Sequence, residues 1–237
     1  MPSRQPEQHP PPMQRLRIKY AKRGRARFAS HRDFGRAFER ALRRSRIPMA
    51  STSGFSPHPR ISYANAAPTG AASEAEYLEI GLTETVDPEW VCAALNAALP
   101  DGLDVVAVAV APPGALADLL TGSSWRIDLD GISTAALDAA VQRFLAAETA
   151  PVERMTKNGL RSFDARGAVL SLTASNTSGP IVLHLVLAHT APLVRPDDVL
   201  TALARSDPNW SPPQPPRITR LRQGTLIDGG PEIAEPL

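Results

Sequence analysis

Two histidines and a group of arginines supply the side chains best suited to chemistry on a phosphate-bearing partner. Imidazole in general titrates near neutral pH, so a pair such as His31 and His58 could cleave a ribose–phosphate bond as general acid and base without a metal. Arginine is suited to binding instead, because its planar guanidinium donates two parallel hydrogen bonds to phosphate oxygens. These residue types point to acid–base cleavage or to binding of an anionic partner.

Positive charge is concentrated near the N-terminus. Residues 15–46 contain 13 Lys or Arg and two acidic residues, a net charge of +11, whereas the whole chain has a net charge of only +2. Everything after residue 46 sums to −9. Such a steep segregation produces a local positive field that attracts phosphate backbones or acidic proteins.

The first two elements of the chain are predicted to carry most of this charge. Residues 14–20 alternate apolar side chains with Arg15, Arg17 and Lys19, which predicts a half-buried strand with a cationic polar face. Ser30 followed by Asp33 resembles a capping box, so a helix should begin at residue 31 and end before residue 48. At 100° per residue, this helix has an apolar core face and an arginine face.

The predicted nucleic-acid contacts lie on this helix, on the turn before it and on the loop after it: Arg23, Arg25, Arg27, Arg32, Arg36, Arg40, Arg43, Phe55 and Arg60. The alternative is a solvated helix face, which is how most charge runs end up. We favour binding because eleven net positive charges repel one another, and solubility alone would be better served by mixed signs.

The segment 49–60 is rich in Ser, Gly and Pro and is predicted to be an ordered loop. Its Phe55 is expected either to stack on a splayed base of single-stranded RNA or to pack back into the core. For the histidines, the structural alternative is that His31 serves the helix start and His58 packs in a rigid Pro-His-Pro turn. We favour that alternative, so no catalytic residue is assigned, and the two histidines stay weak candidates.

Hydrophobic periodicity predicts the element order βαββαβ, which is that of a ferredoxin-like domain, for residues 14–111. The same order recurs in residues 123–227, with strands at 125–129, 169–174, 181–188 and 218–226 and helices at 134–147 and 197–204. We therefore predict an α+β protein made of two tandem ferredoxin-like halves with antiparallel sheets. A disordered proline-rich tail at 1–13 and a C-terminal tail at 228–237 are expected to flank them.

Composition excludes several classes of protein. Cys92 is the only cysteine, so neither an intramolecular disulfide nor a thiolate metal cage can form from this chain alone. No apolar stretch approaches the roughly 20 residues that a membrane helix needs, and the polar N-terminus is unlike a secretory signal. We expect a cytoplasmic protein with no metal site and no membrane contact.

The densest motifs resemble a bacterial radical SAM-linked family of unknown function, whose pattern runs approximately R-F-x-S-H-x-D, then E-R-A-L-R-R, then S-x-G-F-x-P-H-P-R. The matching positions are Arg27, Phe28, Ser30, His31 and Asp33, then Glu39 to Arg44, then Ser53, Gly54, Phe55, Pro57, His58, Pro59 and Arg60. Arg32 departs from the pattern, which has an apolar residue there. The resemblance spans at least residues 15–110.

This resemblance implies a bacterial protein encoded near, or fused to, a radical SAM enzyme, often beside genes for ribonucleases and ribosomal proteins. A radical SAM cluster needs three cysteines, and this chain has one. S-adenosylmethionine and an iron–sulfur cluster would therefore belong to a partner, and no cofactor is expected in this chain.

Three functions follow as hypotheses. The leading one is an RNA-binding or substrate-presenting accessory protein of a radical SAM enzyme that acts on tRNA, rRNA or a ribosome component. The second is a metal-independent endoribonuclease or RNA-modifying enzyme that uses His31 and His58. The third is a protein-interaction module whose basic face docks an acidic surface of the radical SAM protein.

Overall fold

The structure is a computed structural model that describes residues 8–156, 159–175, 181–207, 210 and 212–237. The chain divides into two compact units, Met1–Asp118 with Leu237 and Leu119–Pro236. Both units combine α-helices with antiparallel strands, so the protein is a mixed α+β protein. Residues 1–7 of the predicted disordered tail lie outside the described residues.

The first unit has the element order βαββαβ that the sequence predicts for residues 14–111. Its elements are β1 (Gln14–Lys22), α1 (His31–Arg44), β2 (Ile61–Ala64), β3 (Ala72–Leu82), α2 (Pro88–Ala98) and β4 (Leu103–Val110). The strands lie in the order β4-β1-β3-β2, and each pairing is antiparallel. This order places the two long strands β1 and β3 at the centre.

The alternation of β1 and β3 buries one face of this sheet. Leu16 and Ile18 of β1 and Leu78 and Ile80 of β3 belong to one hydrophobic core with Phe38 of α1, and each is at most 1% exposed. Apolar burial of this kind stabilises a fold by roughly 25 cal/mol per Å². The core face of α1 is therefore held in place, and its opposite face is directed away from the core.

The cationic face predicted for the first strand is not an open surface. Arg17 is only 1% exposed, and its Nη2 donates a 2.8 Å hydrogen bond to Glu79 Oε1, with Arg15 bonding the same carboxylate. The register of β1 against β3 sets Arg17 directly opposite Glu79, and opposite charges facing each other across strands attract. This cross-strand pairing removes Arg17 from the predicted basic surface, whereas Arg15 is paired with the same carboxylate but stays exposed.

The chain between β1 and α1 forms a short helical turn. Gly24–Phe28 is a 3-10 helix. Gly24 has φ +52°, a left-handed conformation that glycine adopts without a steric penalty. The strand therefore ends at this glycine, and the turn leads directly into the α1 N-cap.

The second unit contains the elements predicted for it, together with one hairpin and one short C-terminal strand that were not predicted. Its elements are β5 (Gly122–Leu129), α3 (Thr134–Ala146), β6 (Pro151–Thr156), β7 (Gly159–Asp164), β8 (Val169–Ser175), β9 (Ile181–Ala188), α4 (Pro196–Ser206), β10 (Arg217–Leu226) and β11 (Ile233–Ala234). Its strands lie antiparallel in the order β10-β5-β9-β8, with β11 on β10 and β6 paired with β7.

Parts of both predicted tails form hydrogen bonds in this structure. The His9 backbone N–H donates to Ser53 Oγ at 3.0 Å, and the Met13 N–H donates to the Leu82 carbonyl at 2.8 Å. At the other end, Ile233 and Ala234 pair with β10. Among the described residues, no helix is long and apolar enough to cross a membrane.

Candidate nucleic-acid interface

Helix α1 presents a basic surface because its N-terminus and its core face are both fixed. The Ser30 hydroxyl accepts a hydrogen bond from the Asp33 N–H at 3.1 Å, which satisfies one of the free donors at the helix start. Phe34 and Phe38 are buried, with ring centroids 5.7 Å apart. The predicted helix start and core stripe are confirmed, with Ser30 as the N-cap. Asp33 accepts a hydrogen bond from the Ser30 hydroxyl, whereas in a capping box it would accept one from the Ser30 backbone N–H.

The opposite side of α1 carries the arginine face, which we define as Arg32, Arg36, Arg40 and Arg43; all four side chains are exposed. Successive members four residues apart lie about 6 Å apart along the helix axis. None of the four forms an ion pair or a side-chain hydrogen bond with any residue that the structure describes. Their guanidinium donors face solvent.

The acidic side chain at the start of this helix is turned toward the cap. Asp33 Oδ2 accepts a 2.7 Å hydrogen bond from the Ser30 hydroxyl. That hydrogen bond, with smaller contributions from the charges of Arg36 and Arg32, holds the pKa of Asp33 below its usual value. The carboxylate stays ionised at neutral pH and stabilises the positive end of the helix dipole, without pairing directly with the arginine face.

Basic and aromatic side chains are also found on the 3-10 turn before α1. The Arg27 guanidinium lies over the Phe28 ring, 4.6 Å from its centroid, and Phe28 is 58% exposed. Arg25 is exposed as well. Phe28 was not among the predicted contacts. Its position in the R-F motif, within five residues of four arginines, could have indicated it.

Arg23, which the sequence assigns as a contact, is exposed but differs from the arginine face because it is paired with acids. Its Nε donates to Glu74 Oε1 at 2.8 Å, and its Nη1 donates to Asp104 Oδ2 at 2.9 Å. The hydrogen bond to Glu74 is the largest cause that raises the pKa of Arg23. Two acids from β3 and β4 neutralise this arginine, because both strands converge on the end of β1.

The loop after α1 is ordered and projects an aromatic side chain. Its two arms meet where the Thr52 N–H donates to the His58 carbonyl and the Arg60 N–H donates to the Ala50 carbonyl, both at 2.8 Å. Phe55 at the tip is 80% exposed. Of the two predictions for this side chain, packing into the core is excluded by its exposure. Arg60 is half-buried at the loop end.

The two candidate catalytic histidines are exposed and do not contact one another among the described residues. The His31 ring packs edge-on against Tyr63 with centroids 4.8 Å apart, and His58 contributes backbone hydrogen bonds to Thr52. Neither imidazole has a carboxylate partner in the described part of the chain. No acid–base pair is formed by this arrangement.

Tyr63 of β2 was missed by the sequence analysis, and its hydroxyl yields a testable prediction. The hydroxyl is buried with no hydrogen-bond partner in the described structure, and burial raises the pKa of Tyr63 from 10.0 to about 12. Because an unpaired buried hydroxyl contributes a desolvation penalty, Tyr63→Phe is expected to leave the midpoint of urea denaturation unchanged or raised at neutral pH.

The same substitution should also change how the free energy of unfolding falls at alkaline pH. Tyr63 has a higher pKa in the folded chain than in the unfolded chain. Its contribution to the free energy of unfolding is therefore fully present below about pH 10 and is lost as pH rises toward about 12. Tyr63→Phe should therefore lose less stability than the wild type between neutral pH and about pH 11. A lower denaturation midpoint of Tyr63→Phe at neutral pH would show that the Tyr63 hydroxyl has a partner. Tyr20→Phe, which removes the hydroxyl of another tyrosine of the first unit, serves as the control.

No group of three or more His, Cys, Asp or Glu side chains in the described residues lies close enough together to hold a metal ion. Burial raises the pKa of Cys92, the single thiol. A raised pKa lowers the fraction of reactive thiolate.

Fold and surface together define an α+β protein with an arginine-lined helix face. Sequence comparison matches residues 15–196 to the family described as "Uncharacterized protein conserved in bacteria (DUF2344)", and the chain belongs to this family. The predicted membership in a bacterial family of unknown function is confirmed, whereas the link to radical SAM enzymes stays a prediction. No curated protein matched the chain.

Proposed function

We propose that this protein binds RNA through the arginine face of α1 and presents it to a radical SAM enzyme, without catalysing a reaction itself. The tRNA, the rRNA or a ribosome component is the expected target. The observation that carries the proposal is the exposure of Arg32, Arg36, Arg40 and Arg43 without an ion pair or a side-chain hydrogen bond to an acid in the described chain.

The distribution of acids within the first unit supports binding over a merely solvated helix face. Arg17 is paired with Glu79 and Arg23 with Glu74 and Asp104, so neutralising acids are available in this unit. The arginine face is left without them. Like charges four residues apart on a helix destabilise it by about 0.2–0.5 kcal/mol per pair, a cost that an anionic partner would offset.

Two exposed aromatics favour single-stranded RNA over a duplex. Phe28 is 58% and Phe55 is 80% exposed, and both flank α1 in sequence. Bases of an unpaired strand stack on such rings, with a stabilisation of about 1–3 kcal/mol per base. In an A-form duplex the bases are already stacked, and side chains cannot read its deep major groove.

We also infer that the two units are ferredoxin-like halves. Strand orders β4-β1-β3-β2 and β10-β5-β9-β8 with βαββαβ connectivity support two ferredoxin-like halves, the second carrying the β6–β7 hairpin as an insertion. The radical SAM partner is inferred from the motifs at residues 27–33 and 53–60. That partner would supply the S-adenosylmethionine and the iron–sulfur cluster.

A salt titration tests the proposal directly. Filter binding of the full chain to a fluorescent single-stranded RNA should weaken steeply with salt, because each neutralised phosphate contributes about −0.7 to the slope of log K against log salt. Four contacts from the arginine face predict a slope near about −3. A slope near zero, or no binding at low salt, would contradict the proposal.

Two further readouts of the same preparation separate the other hypotheses. Co-purification of an acidic protein that survives nuclease treatment would indicate a protein-docking module in place of RNA binding. Cleaved or modified RNA that disappears in both His31→Ala and His58→Ala, with RNA affinity retained, would indicate an enzyme.

A further inference from the structure

The first unit contains a second basic site that does not involve the arginine face. A cavity of about 540 Å³ is lined by Arg15 and Arg60, by Thr52 and Ser62, and by Glu79. Small-molecule pockets usually have volumes of about 300–1,000 Å³. The cavity is therefore large enough for a metabolite, and its lining combines guanidinium groups with hydroxyls.

The charges around this cavity favour an anion. Glu79, the one carboxylate among the described residues that line it, already accepts hydrogen bonds from Arg17 at 2.8 Å and from Arg15. The Arg60 guanidinium, by contrast, has no ion pair or hydrogen bond with any part of the chain that the structure describes. Arg60 therefore adds a positive charge that no carboxylate in the lining neutralises.

The backbone holds Arg60 in a fixed position beside the cavity. Its N–H donates to the Ala50 carbonyl at 2.8 Å, and its carbonyl accepts from the Gly81 N–H at 2.9 Å. Arg60 is thus tied to the other arm of the loop through its N–H and to the end of β3 through its carbonyl. A guanidinium on a fixed backbone loses less conformational entropy when it binds a ligand than one on a mobile segment.

Gly81 makes room for the Arg60 side chain. Its φ lies outside the left-handed region, so backbone conformation does not account for a glycine in this central strand, where glycine is normally unfavourable. A Cβ at this position would lie 3.1 Å from both Arg60 Cδ and Pro12 Cβ. The missing side chain therefore lets the arginine stem cross the strand and reach the cavity.

We propose that this cavity binds a small organic phosphate of nucleotide size, with Arg60 as the main phosphate-binding residue and Arg15 as the second. Guanidinium groups match the geometry of phosphate oxygens, and the Thr52 and Ser62 hydroxyls add polar groups to the wall. Ile61 and Pro12 form an apolar part of the lining for the organic portion. The site shares no residue with the arginine face and does not depend on the proposed RNA binding.

Isothermal titration calorimetry on the full chain tests the site with adenosine monophosphate, inorganic phosphate and adenosine as probes. The monophosphate is expected to bind more tightly than either of the other two. Arg60→Met keeps the aliphatic stem over Gly81 and removes the charge, so it should weaken monophosphate binding by about tenfold or more. Arg60→Lys keeps the charge without the planar guanidinium. Its affinity for the monophosphate should lie between those of the wild type and Arg60→Met.

Two more variants separate this site from the rest of the protein. Gly81→Ala should weaken monophosphate binding several-fold with Arg60 still present. The combined Arg36→Ala, Arg40→Ala and Arg43→Ala variant should bind the monophosphate as the wild type does. Absence of binding, equal binding of adenosine, unchanged affinity in Arg60→Met at an unchanged melting temperature, or loss of binding in the α1 variant would each overturn the proposal.

Discussion

Replacing Arg36, Arg40 and Arg43 together with alanine is expected to lower the affinity for single-stranded RNA about a hundredfold at low salt. Each exposed guanidinium that loses a phosphate contact costs about 1 kcal/mol, and about 1.4 kcal/mol corresponds to a factor of ten. The slope of log K against log salt should fall in magnitude by about 2. Filter binding across a salt series measures both quantities.

Unfolding is not expected to explain this loss. Alanine has a higher helix propensity than arginine, and the substitutions remove like charges spaced four residues apart. The three side chains are exposed and have no partner in the described chain. The melting temperature of the variant should therefore equal or exceed that of the wild type.

A matched control variant loses the same net charge as the α1 variant, but from the second unit. Arg161, Arg205 and Arg222 are exposed arginines of the second unit, and their combined replacement with alanine should change RNA affinity only through the weaker long-range field. If both triple variants lost affinity equally, binding would depend on net charge. If neither did, the arginine face would not be the RNA-binding surface.

Glu79→Ala is expected to lower the free energy of unfolding by about 3 kcal/mol. Glu79 is 3% exposed and Arg17 is 1% exposed, and removing the carboxylate takes away a hydrogen-bonding and charge partner of a guanidinium that stays buried. Breaking a buried pair from one side is more damaging than replacing both members with apolar residues. Urea denaturation followed by circular dichroism measures the change.

Two companion variants test this explanation. Glu84→Ala removes an exposed glutamate close to the end of β3 and should stay within about 0.5 kcal/mol of the wild type. The double replacement of Arg17 with Met and Glu79 with Leu should recover much of the loss, because it removes both charges from the buried site. A Glu79→Ala variant as stable as Glu84→Ala would show that the pair adds nothing to stability.

Local patterns were sufficient to predict most of the elements. The N-cap at Ser30 and the apolar stripe of α1 depend only on residues within a few helical turns, and both are present. The same is true of the alternating strand β1, which begins at the predicted residue 14. Helix and strand periodicities are set by backbone geometry, so they can be read without knowledge of distant partners.

The β6–β7 hairpin was missed because its strands lack a clear apolar alternation. Met155 and Leu160 are 72% and 61% exposed, and hydrophobic periodicity indicates strands only where one face is buried. The signal that could have found the hairpin was the Asn158-Gly159 pair, a dipeptide typical of two-residue β-turns. Asn158 itself lies outside the described residues; Gly159 has φ +97°.

The arginine face of α1 was determined by the sequence alone, since side chains three and four residues apart on a helix share one side wherever the helix is placed. Whether an individual arginine stays open was decided by the tertiary structure. Arg17 and Arg23 are paired with acids more than 50 residues away along the chain, and Arg60 borders a cavity through its contact with Gly81. A charge count along the chain does not contain the cross-strand register, and it is this register that determines which charges are paired.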